Sequence, residues 1–316
     1  MYSSFALIKN LSSSANNLKF SNFEMTEIDQ CEVGALKLAH SVFGVGVPLY
    51  GDWVYRRDYH CDSDVEERVS SDVEDTLFLL RLFKVGDLVF SRHVIRKPDG
   101  NNLRQLPYRV MSQIRKTFGY RFESEECPGF DSFASEIMSH RNWSSTWFQT
   151  ARRFFLYGGS KEFKPHQQSV DRIVDYMVAM EAILVPERDF LGRRVRERAA
   201  ALLEGDDEDF IKKLMRDFYD IRSTVVHGSD VDPENNAFTM SFDFEGIIRR
   251  VIVESLRKLP FDDTDRASFL KALFDVSHND RSELVYNQFC AIKGQDEKKT
   301  CVERMTKRAD SWRGKE

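Results

Sequence analysis

Two hydrophobic rhythms divide the chain. Between Asn17 and Ile28 the apolar residues Leu18, Phe20, Phe23, Met25 and Ile28 partly alternate with polar ones, and Trp53, Tyr55 and Tyr59 repeat that period, which predicts β-structure. Val73, Leu77, Leu80 and Phe83 then recur at helical spacing. After Gly86, the stretch from Leu88 to Ile95 reads as a strand ending at a Pro98-Asp99-Gly100 turn. Residues 1–130 are therefore expected to form a mixed α+β domain.

Beyond Pro128-Gly129 turn signals become sparse, and helical periodicity dominates as far as about Ile292. Candidate helices cover 131–141, 145–157, 167–185, 189–204, 207–227, 244–258 and 264–276. Short connections favour antiparallel neighbours, so residues 131–292 are expected to form a helical bundle domain. The remainder, 293–316, holds eight basic and five acidic residues with few apolar anchors, and reads as a basic, weakly helical tail. In helix 167–185 Val170, Ile173, Val174, Met177, Val178 and Leu184 form a broad apolar band, with Asp171, Arg172 and Asp175 expected outside it. In helix 207–227 Leu214, Phe218, Ile221 and Val225 fall at intervals of 4, 3 and 4, a seam for a neighbouring helix.

Composition narrows the function classes. The chain has 316 residues, 41% of them hydrophobic and 31% charged, which excludes a disordered or repetitive polymer. Its 46 basic and 51 acidic residues leave a net charge of −5, so nucleic acid would have to meet a local patch. Five widely spaced cysteines without a Cys-x-x-Cys pair support neither a disulfide framework nor a four-ligand zinc site. The apolar run Phe5 to Ile8 is too short for a signal-peptide core, and no stretch reaches the ~18 apolar residues of a membrane span. A cytoplasmic protein with no membrane partner is expected.

Several stretches carry two readings. The acidic run over residues 62–75 is a solvated face or a loop leading into a helix. Arg193, Arg194, Arg196 and Arg198 suit RNA phosphates or salt bridges to a neighbouring helix. Phe154, Phe155, Leu156 and Tyr157, beside Arg152 and Arg153, suit base stacking or a core. His60-Cys61, His93, His140, His166 and His278 are too scattered for a metal site. Gly44-Val45-Gly46 followed by Gly51, with no Gly-Lys-Ser/Thr, supports neither a dinucleotide fingerprint nor a phosphate loop. No metal and no cofactor is predicted.

The chemistry concentrates in Tyr219-Asp220-Ile221-Arg222-Ser223-Thr224-Val225-Val226-His227-Gly228. Five helical steps of ~100° would set Arg222 and His227 about 140° apart, so the helix must end for the two to converge. Gly228 suits a C-terminal cap, and Asp232-Pro233 forbids continuation.

This Arg-x4-His pattern, preceded by Tyr-Asp and followed by Gly, resembles the signature of the HEPN superfamily of ribonucleases. The segment Asp171 to Leu184 is similar to the Apea-like HEPN branch, and Arg196-Glu197-Arg198-Ala199-Ala200-Ala201-Leu202-Leu203 adds to the likeness. Together they cover about residues 144–228. The resemblance implies a mainly α fold: an up-and-down four-helix bundle with extra C-terminal helices after the mixed α+β domain. It implies a homodimer in which Arg222 and His227 face their equivalents across a cleft, and metal-independent cleavage of RNA in anti-phage defence or a toxin role. Single-stranded RNA or a tRNA loop is the implied partner. Arg222 would hold the scissile phosphate and His227 would move the proton, with Ser223 supporting, at a position where many members carry Asn, Asp or His. The alternative is a non-catalytic HEPN dimer that binds RNA or a nucleotide, or scaffolds a defence complex. Glu181 is open to two readings, a carboxylate that orients a base or a helix-surface group, and stays outside the expected site.

Overall fold

A computed structural model describes residues 2–27, 53–60, 65–86, 88–96, 103–106, 119–160, 165–187, 191–203, 208–228 and 237–275. The chain is mainly helical with a small antiparallel sheet, and it divides into two compact units. The first comprises Met1–Met138 with Leu156–Arg172, the second Ser139–Phe155 with Ile173–Glu316. The Pro98-Asp99-Gly100 turn, Cys61, His278 and the tail 293–316 lie outside the described residues.

The first unit is built on a six-stranded sheet of order β3-β4-β5-β1-β6-β7, every neighbouring pair antiparallel. Its strands are β1 (Tyr2–Lys9), β3 (Asn17–Lys19), β4 (Glu24–Glu27), β5 (Trp53–Tyr59), β6 (Val89–Arg96) and β7 (Leu103–Leu106). A short parallel pair, β2 (Leu11–Ser12) with β8 (Tyr120–Arg121), lies beside it in sequence. The segment read as one alternating strand over 17–28 is the β3–β4 hairpin, reversed at Phe20–Phe23 by the Phe20 N–H bonding the Phe23 carbonyl at 3.0 Å.

Strand β1 carries no period-two signal because Ser3 to Ile8 are all buried, so both of its faces are covered. It pairs with β5 through Ala6↔Tyr55 and with β6 through Phe5↔Val94, and the register against β6 slips between Ala6 and Leu7, a bulge. Burial forces Ser4 to find a partner, and its hydroxyl meets His93 Nε2 at 2.7 Å.

Helix α1 (Val65–Phe83) absorbs most of the acidic run. Glu66 and Glu67 sit in its first turn, where the helix dipole favours them, and Asp72 pairs with Arg57 at 3.3 Å. The opposite stripe, Val65, Val69, Val73, Leu77 and Leu80, is buried, with Val65 and Val69 packed against Tyr59 and Ile95. A second nucleus is aromatic, with Phe20, Phe23, Phe83, Phe122 and Phe130 in mutual ring contact. Arg81, 2% exposed, donates to the carbonyls of Leu88, Leu156 and Gly159, which satisfies its buried guanidinium.

The later helices are α2 (Cys127–Ser139), α3 (Thr146–Gly158), α4 (Pro165–Leu184), α5 (Leu191–Leu202), α6 (Glu208–Val226), α7 (Ala237–Lys258) and α8 (Asp263–Asp275). Helix α7 begins seven residues before the expected 244. Helix α4 departs from its expected band, because Arg172 and Asp175 are buried along with Ile173, Tyr176, Met177, Met180, Ile183 and Leu184, while Val174 and Val178 are only partly covered. A helix enclosed on most of its circumference buries charges as well as apolar groups, and both Arg172 and Asp175 have partners there. In the second unit Tyr176 donates to Glu245 at 2.9 Å, and Phe218 of α6 stacks on Phe244 of α7 at 4.1 Å. Phe155 and Leu156 are core residues, and the Arg153 guanidinium lies 5.0 Å from the Phe154 ring. No helix among the described residues is long and apolar enough to cross a membrane.

Burial of His93 pushes its pKa down to about 4, so the unfolded chain binds the proton first as pH falls. Stability is therefore full above about pH 6.5 and declines between about 6.5 and 4, by roughly 3 kcal/mol from this group. Urea unfolding across that range should show the decline in the wild type and a flatter profile in His93→Gln; equal slopes would contradict it.

Candidate functional site

Helix α6 positions Arg222. Its buried stripe is Ile211, Met215, Phe218 and Ile221, not the expected Leu214, Phe218, Ile221 and Val225, of which Leu214 and Val225 are only partly covered. Ile211, Met215 and Phe218 stand at intervals of 4 and 3, and the next step of 4 lands on Arg222. The seam turns the arginine toward the bundle. Its Nη2 donates to Glu181 Oε2 of α4 at 3.3 Å, and its guanidinium carbon lies 5.7 Å from the Tyr219 ring centroid.

The ion pair is half closed. Its side chains are 19% and 16% exposed, and a single hydrogen bond joins them. Arg222 Nε and Glu181 Oε1 are buried and lack hydrogen-bond partners among the described residues. Desolvation raises the Glu181 pKa, and the Arg222 charge pulls against that rise. Sequence reasoning left Glu181 outside the site because a lone carboxylate on an apolar helix carries no signal of its partner 41 positions away.

His227 stands at the end of α6. Gly228 takes the left-handed cap with φ +76°, as its position before Asp232-Pro233 suggests. The His227 N–H still bonds the Ser223 carbonyl at 3.1 Å, and the Gly228 N–H bonds the Val225 carbonyl at 3.0 Å. The helical spiral thus runs through His227. The convergence expected from an earlier helix end does not occur within one copy, and Arg222 and His227 leave the helix about 140° apart. Arg222 turns to Glu181, whereas His227 is exposed and its ring has no partner among the described residues. Ser223, partly covered, lies one turn before His227 on the same face.

The arginines of α5 separate by helix face. Arg194 and the fully buried Arg198 both contact Glu187 at 2.8 Å, and although burial pushes that carboxyl up, the two guanidiniums hold it at about 2. Arg193 and Arg196 instead line a partly open groove of about 460 Å³ together with Leu191, Gly192, Arg216, Tyr219 and Asp220. Arg196 also reaches Glu197 at 3.3 Å. Among the described residues no three His, Cys, Asp or Glu side chains gather as a metal site; His60 is exposed, and His93 is buried against Ser4.

Gly192 lets the Tyr219 ring lie against the α5 backbone, since a Cβ there would stand 2.6 Å from ring carbons Cδ1 and Cε1. Gly→Ala inside a helix ordinarily stabilises by about 1 kcal/mol. Gly192→Ala should instead destabilise by about 1–3 kcal/mol through overpacking, read as a lower thermal midpoint. A raised midpoint would contradict the contact.

No family model matches this chain, and neither a curated protein nor a solved structure matches it.

Proposed function

We propose that this chain is a metal-independent endoribonuclease of HEPN type, acting in prokaryotic anti-phage defence or as a toxin, and working as a homodimer through its helical domain. The observation that carries the reading is Arg222, held by Glu181 and Tyr219, five residues before an exposed His227 at a glycine-capped helix end. The Arg-x4-His motif supplies the two groups that RNA transesterification needs, and the ion pair supplies a preorganised cation.

In this reading the imidazole of His227 takes the proton from the ribose 2′-hydroxyl. The 2′-oxygen attacks the adjacent phosphorus, the P–O5′ bond breaks, and a proton returns to the leaving O5′. The products are a 2′,3′-cyclic phosphate and a 5′-hydroxyl. Arg222, a fixed planar cation, binds the phosphate oxygens and stabilises the charge that builds on them. Glu181 is a positioning residue that aims the guanidinium, and the Ser223 hydroxyl supports His227 from the preceding turn. DNA, without the 2′-hydroxyl, is not a substrate. Because the two side chains diverge on one helix, the working pair takes Arg222 from one protomer and His227 from its partner.

The non-catalytic alternative, an RNA-binding or scaffolding dimer, is favoured by one observation: Arg222 already has a carboxylate partner and no bond to His227. Incubating the full chain with single-stranded RNA or tRNA in EDTA separates the two. The expected result is cyclic-phosphate ends from the wild type, with Arg222→Ala and His227→Ala slower by at least about 100-fold. Binding without cleavage would select the alternative, and cleavage by His227→Ala at the wild-type rate would overturn the catalytic assignment.

A further inference from the structure

We infer that the groove between α5 and α6 is an anchoring subsite for phosphates of the RNA strand beside the scissile position; this rests on the ribonuclease reading above. Arg193, Arg196 and Arg216 line it together with one acidic residue, Asp220, and Arg196 also pairs with Glu197 at 3.3 Å. The groove is thus a local basic site on a chain whose net charge is −5. Arg216 is exposed and makes no hydrogen bond or ion pair among the described residues, so its donors are available to an anion.

One side chain, Tyr219, joins the groove to the candidate catalytic arginine. The Tyr219 ring lines the groove, rests on Gly192, and is in contact with the Arg222 guanidinium. Arg216 and Arg222 are separated by six residues, a rise of about 9 Å along α6, which places the groove at a neighbouring nucleotide rather than at the scissile one. A volume of about 460 Å³ has room for a nucleotide-sized group. Its open side suits a strand passing through. Specificity for phosphate over other anions comes from the planar fork of each guanidinium.

The test uses the full chain with Arg193→Glu and Arg216→Glu combined, both at exposed positions, and Lys213→Glu as a matched charge reversal on the exposed surface of α6 outside the groove. Single-stranded RNA cleavage in EDTA gives KM and kcat, and binding of a labelled RNA oligonucleotide to His227→Ala copies gives affinity against salt. The groove variant should raise KM and the dissociation constant roughly tenfold, leave kcat near wild type, and reduce the salt slope by about 0.7 per arginine. Lys213→Glu should move none of these. Adenosine monophosphate should compete for the groove weakly, and an RNA strand strongly. An unchanged KM and salt slope in the groove variant, or an equal effect of Lys213→Glu, overturns the subsite while leaving the nuclease standing. A fall in kcat at constant KM also overturns it. A wild type that neither binds nor cleaves RNA overturns both readings.

Discussion

The buried C-terminus of α4 constrains the second unit. Its last carbonyls have no partners within the helix, and leaving such groups buried and unbonded would cost about 1–3 kcal/mol each. Arg198 donates to the Leu184 carbonyl at 2.7 Å, and Arg266 of α8 donates to that of Ile183 at 2.9 Å. Glu187 then neutralises Arg198, so the cation that satisfies the helix end is itself satisfied. The same device recurs: Lys258 reaches the Leu202 carbonyl at the end of α5, and Asn142 those of Leu256 and Leu259 at the end of α7. The end of α6 differs. Its cap is Gly228 alone among the described residues, which leaves His227 uncovered.

That constraint links packing to chemistry. With α4 pinned at Ile183 and Leu184, Glu181 is fixed within its last turn, and the α6 seam delivers Arg222 onto it. The guanidinium is held by one hydrogen bond, through Nη2, and by one ring contact, with its Nε buried and unbonded among the described residues. Breaking that contact would leave the largely buried Glu181 carboxylate without its cation, so the pair fixes where the guanidinium points.

The sequence made the helices easy to locate and their contacts hard to read. The 3.6-residue period placed α4, α5, α6 and α8 to within a few residues, because each buries a stripe against neighbours. Strand β1 escaped notice because burial on both faces erases alternation. The seam of α6 holds Phe218 and Ile221 as expected but departs at its ends, where Leu214 and Val225 look apolar enough to belong and the buried line runs instead through Ile211 and Met215, leading on to an arginine. Arg222, Ser223 and His227 were legible as a motif, but Glu181 was not, because its meaning depends on a partner in another helix. The groove was hidden for the same reason: its arginines come from two helices, and the cluster on α5 divides between structural pairs and groove walls only once the helix faces are known.

In the proposed homodimer the active pair is shared, with Arg222 from one protomer and His227 from its partner. Subunit complementation tests this most directly. Copies carrying Arg222→Ala and copies carrying His227→Ala, differently tagged and co-expressed, form heterodimers in which one of the two sites regains both native residues. RNA cleavage by the purified heterodimer, with both parent variants inert, is the expected result. A heterodimer as inert as its parents, or a parent variant with wild-type cleavage, would contradict the shared site.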